Sequence, residues 1–72
     1  MKKLKVILHS DGLISITTKG IDIKHGKNDN PKFFMIEAND EILHNFDKIK
    51  VIKKGKKMEI EIPGQEKQNV II

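Results

Sequence analysis

Residues 48–62 read KIKVIKKGKKMEIEI, and the fold class turns on how that stretch is read. Apolar and charged side chains alternate on both sides of Gly55, the period of strands buried on one face only. With Lys54-Gly55 as a two-residue turn, Lys48–Lys53 pairs with Lys56–Ile62. Val51 then meets Met58 and Ile49 meets Ile60 on one face, while Lys50 meets Glu59 and Lys48 meets Glu61 on the other. Each such cross-strand pair contributes roughly 0.2–1 kcal/mol. Pro63-Gly64 ends the hairpin.

Toward the N-terminus, a second hairpin joins Lys3–His9 to Leu13–Thr18. A two-residue Asp11-Gly12 turn would leave neither face clean. A three-residue Ser10-Asp11-Gly12 loop, with Gly12 left-handed in a G1 bulge, sets Leu8 opposite Ile14, Val6 opposite Ile16 and Leu4 opposite Thr18. A buried face fixes register, so the three-residue loop is preferred. Ile7, His9 and Leu13 are then exceptions on the face that also carries Lys5, Ser15 and Thr17.

Between the hairpins, Gly20 breaks the strand and Ile21-Asp22-Ile23-Lys24 alternates like a short further strand. His25 to Pro31 is a polar loop. Phe33-Phe34-Met35-Ile36 is a continuous apolar run, as in a central strand covered on both faces. Residues 40–46 allow one or two helical turns capped by Asn39, with Asp40 and Glu41 in the first turn. They also allow a hairpin turning at Asn39-Asp40 that pairs Ile36 with Leu43; the helical reading is preferred. Val70-Ile71-Ile72 suits a docked last strand after the polar tail Gln65–Asn69. The expectation is an all-β domain, with room for one short helix at 40–46. It is a single small domain over 1–72, a five- to six-stranded antiparallel meander or a partly open barrel of SH3-like size.

The chain has 72 residues, enough for one core that buries only about 60% of the unfolded surface. Without cysteine there is no disulfide and no Cys-based zinc site. The apolar stretch after Met1-Lys2-Lys3 stops at His9-Ser10-Asp11, too short for a signal core or a membrane span, so a cytoplasmic protein is expected. All fourteen basic residues are lysine. Bidentate arginine readout of guanine or phosphate is therefore excluded, although lysines still attract polyanions.

No constellation demands an enzyme. His9-Ser10-Asp11 has the residue types of a hydrolase triad, but neighbours on a strand point to opposite faces, and such triads are assembled from distant segments. His9, His25 and His44 lack paired-ligand spacing, so no metal or other cofactor is expected, although Asp11, Asp22 and Asp29 could complete a site in three dimensions. Glu59 and Glu61 read as a solvated charge ladder with lysines opposite. No glycine-rich phosphate loop is present, the five glycines falling at turns.

Two binding surfaces remain. Lys53, Lys54, Lys56 and Lys57 crowd one hairpin tip, with Lys48 and Lys50 along the same ribbon: a candidate polyanion-binding surface, or a soluble guard on an edge strand. Ile7 and Leu13, with Val70, Ile71 and Ile72, are candidate protein contacts unless the middle segment covers them. The preferred expectation is a small non-catalytic binding module acting through protein partners or self-association, of the kind carried by phages and mobile elements. Low-specificity nucleic-acid binding through the lysine tip is the alternative, and no membrane partner is expected.

Overall fold

The structure is a computed structural model that describes residues 2–40, 42 and 45–72, with Lys2 described by its backbone alone. It is nearly all β. Six strands, β1 (Lys2–Leu8), β2 (Ile14–Thr18), β3 (Lys32–Ala38), β4 (Lys50–Lys54), β5 (Lys57–Glu61) and β6 (Gln68–Ile71), form two antiparallel three-stranded sheets ordered β2-β1-β3 and β4-β5-β6. The sheets do not close into a barrel. The chain divides into two compact units, 1–37 and 38–72. Among the described residues no helix is long and apolar enough to cross a membrane.

In the first unit the hairpin register is as expected: Leu4, Val6 and Leu8 face Thr18, Ile16 and Ile14. The Gly12 amide donates to the His9 carbonyl at 3.0 Å, and the His9 amide to the Leu13 carbonyl at 2.9 Å. With Gly12 at φ +90°, this is a type I turn closed by a G1 bulge. Leu4 and Val6 are fully buried, and so is Ile7 on the opposite face of β1.

Two expectations for this unit need correction. Residues 21–24 are irregular, not a strand. After Gly20, at φ +94°, Asp22 leaves to pair with Lys5 at 2.6 Å. The Phe33–Ile36 run is also not central. β3 lies at the edge of its sheet, with Phe33 48% and Met35 43% exposed, while Ile36 is buried.

In the second unit the β4–β5 hairpin forms, but two residues out of the expected register. Val51 pairs with Ile60, Lys53 with Met58, Lys50 with Glu61 and Ile52 with Glu59. The turn is Gly55-Lys56. Gly55 has φ +58° and, among the described residues, no non-glycine residue has positive φ, as a type II′ turn requires with glycine in its first central position. Shifting by two keeps every side chain on its face, so the hydrophobic pattern fits both registers and turn chemistry decides. Met58, Ile60 and Ile62 are buried. The docked last strand is present: β6 pairs with β5, and the Ile72 amide reaches the Lys56 carbonyl at 2.8 Å. Asn39 accepts from the Ile42 amide at 3.0 Å, as a cap would. The rest of the expectation for 40–46 falls on Glu41, Leu43 and His44, outside the described residues. The nearest defined helical element is one 3-10 turn, Phe46–Lys48.

Candidate functional site: a buried histidine–aspartate cluster

The first unit carries a polar cluster that local sequence did not announce. Strand alternation puts His9 on the face of Lys5 and Ile7, with Ser15 of β2 opposite Ile7. The loop 19–31 crosses this face. Its Asp29 reaches the start of the β1–β2 turn, and its His25 lies over His9. The two imidazole rings stack with centroids 3.5 Å apart and planes 14° apart.

Asp29 is the hub. One carboxylate oxygen accepts from the Ser10 amide at 2.9 Å and the Ser10 hydroxyl at 2.8 Å. The other takes the His25 amide at 2.8 Å and stands 2.6 Å from His9 Nδ1. The side chains of His9 and Asp29 are essentially inaccessible, 0% and 1% exposed. Burial alone would raise the Asp29 pKa. The amides of His25 and Ser10, followed by the His9 ring and the Ser10 hydroxyl, outweigh it and hold the carboxyl well below the usual range.

An ionised carboxylate can only accept, so His9 Nδ1 carries a proton. In the neutral ring Nε2 is then a lone pair, and it lies 2.7 Å from the Ser15 hydroxyl. Serine, histidine and aspartate are thus aligned in series, though not the adjacent trio His9-Ser10-Asp11. Asp11 instead accepts from the Leu13 amide and pairs with His25 Nδ1 at 3.1 Å. These two contacts hold Asp11 below its ordinary pKa. Among the described residues, no buried side-chain nitrogen or oxygen is left without a hydrogen-bond partner.

The ligand atoms of His9, His25 and Asp29 lie within 4.8 Å of one another, a spacing open to a metal ion. The donor set argues against one. Asp29 already accepts four hydrogen bonds and both His9 nitrogens are engaged, so a cation would have to replace satisfied contacts.

The expected binding residues are distributed differently. Ile7 is fully buried, and Leu13 is 61% exposed. Val70 and Ile72 are half-buried, while Ile71 is 74% exposed. Lys48, Lys50, Lys53, Lys54, Lys56 and Lys57 are all exposed on the β4–β5 ribbon or just before it. Lys54 and Lys57 lean toward Glu59 at 3.5 and 3.8 Å, joined by Lys67 at 3.6 Å. Burial is the largest single influence on Glu59 and raises its pKa, but Lys54, Lys67 and Lys57 together outweigh it and leave it depressed. Beside the ribbon lies a cleft of about 460 Å³, lined by Lys48, Lys50, Lys67, Glu61 and the Pro63-Gly64 turn.

Sequence reasoning named Asp29 only as one of three aspartates that could join the histidines, and it missed Ser15 and the closeness of His9 to His25. The available signal was the placement of Ile7 and His9 on the otherwise polar face of β1, which marks a face that something covers. No protein-family model, curated protein or solved structure matches this chain.

Proposed function

We propose that this protein is a small binding module acting through protein–protein contacts, with edge strand β3 as the contact surface and a second copy of the chain as its occupant. One observation carries this reading. β3 ends its sheet among the described residues, and it presents Phe33 and Met35 to solvent on one face. An open strand edge beside an apolar row is the kind of surface that recruits another strand. A two-fold axis at Met35 keeps Phe33 and Met35 of both copies on one side of a continuous sheet.

Sedimentation from micromolar to millimolar concentration tests this. The native chain is expected to dimerise, and Phe33→Asp to sediment as a folded monomer, since Phe33 is already half-exposed. A native monomer throughout overturns the second-copy occupant.

A second reading has its own support. Residues 48–57 carry six exposed lysines and no acidic residue, with Asp47 just before the span and Glu59 just after it. Such a ribbon beside a lysine-lined cleft suits low-specificity binding of a polyanion such as nucleic acid.

A further inference from the structure

We propose that Ser15 is an activated nucleophile, with His9 as its general base and Asp29 as a positioning residue, able to accept an acyl group from small activated esters. This is independent of the contact surface on β3. It rests on connectivity. Ser15 Oγ lies 2.7 Å from His9 Nε2, and His9 Nδ1 lies 2.6 Å from Asp29. The remaining Asp29 contacts, from the Ser10 and His25 amides and the Ser10 hydroxyl, fix the carboxylate. The imidazole therefore holds one tautomer and one orientation, as a general base must. Its far nitrogen points at a residue that is only half-buried, while the base itself is shielded from water.

The step balances without an added reagent. Ser15 Oγ attacks the ester carbonyl carbon as its proton passes to His9 Nε2. The C–O bond to the leaving group breaks, the departing alkoxide takes that proton, and an O-acyl serine remains. Water deprotonated by the same nitrogen then releases the acid and restores Ser15.

The chain contains an internal control, because it has only two serines. Ser10 is the more exposed, yet its hydroxyl donates to Asp29 at 2.8 Å with no imidazole between. Exposure alone predicts faster modification of Ser10; the relay predicts Ser15.

The test is incubation of the native protein with a fluorophosphonate probe, followed by peptide mass spectrometry. Ser15 is expected to react about 100-fold faster than Ser10, the range of general-base assistance. Labelling should vanish in Ser15→Ala and lose its preference for Ser15 in urea. Ser15→Ala removes one hydroxyl from a half-buried site, and circular dichroism verifies that it folds. Equal labelling of both serines, or none at Ser15 in the folded protein, overturns the proposal.

Discussion

Two carboxylates, one in each unit, gather several donors and are both more acidic than a free side chain, but they do so by different physics. Asp29 is buried and takes four directed hydrogen bonds, two from backbone amides that cannot move without unfolding the loop. Glu59 is 13% exposed and is approached by three lysine ammonium groups at 3.5–3.8 Å, each on a flexible stem. A depressed pKa alone does not distinguish a structural clamp from a solvated charge cluster. The donors do. Fixed amides and a buried imidazole make Asp29 part of the fold, whereas Glu59 moderates a basic surface.

The largest expected effect is that of Asp29→Ala. It strands the Ser10 and His25 amides and the His9 ring in a dry site, where a buried hydrogen bond left unmade costs about 1–3 kcal/mol. A fall in Tm on the order of 10 °C or more is expected by calorimetry. A change no larger than that of a surface substitution would place Asp29 in the same class as Glu59.

Acid comes next. Because the folded pKa of Asp29 lies below its ordinary value of 3.8, the unfolded chain takes up the proton first. The stability Asp29 confers is therefore present above that value and is lost as pH falls through 3.8 toward the folded pKa. Glu59 acts in the same direction below its ordinary value of 4.5. Salt separates them. Side-chain NMR titration at low and high ionic strength should move Glu59 back toward 4.5 and leave Asp29 nearly unchanged. Equal salt sensitivity would erase the distinction.

The smallest effect on stability is expected from Glu59→Gln, with little change in Tm. Its readout is affinity. Freeing Lys54, Lys57 and Lys67 from their shared anion should tighten binding to labelled single-stranded DNA and steepen its salt dependence, whereas exchanging Lys53, Lys54, Lys56 and Lys57 for Gln should remove it. Native protein that binds no DNA even at low salt would overturn the polyanion reading.

What the sequence revealed follows the range of each interaction. The β1–β2 register was legible because Leu4, Val6 and Leu8 match their partners in only one parity, and Gly12 supplied the required turn residue. The β4–β5 hairpin was legible as a hairpin, but its register was not. Both alternatives keep Val51, Met58 and Ile60 on one face, and apparent Lys50–Glu59 pairing favoured the wrong one. Salt bridges on an exposed face are too weak to offset the left-handed backbone that a Lys54-Gly55 turn would impose on Lys54. β3 read as a central strand because its composition reports apolarity, not sheet position. The choice of Asp29 over Asp11 and Asp22 was illegible for a different reason: it lies twenty positions from His9, in a polar loop where its neighbours look the same. Only the face carrying Ile7 and His9 hinted that something covers it.

The His9–His25 stack has a practical consequence. Each ring sits in the magnetic shadow of the other, so the carbon-bound imidazole protons should resonate upfield of their free positions while the loop is closed. With no Trp or Tyr, the chain has almost no fluorescence or absorbance in the near ultraviolet. The same pair of rings that packs the loop onto β1 thus supplies an optical substitute in the proton spectrum, a local gauge of loop opening that needs no label.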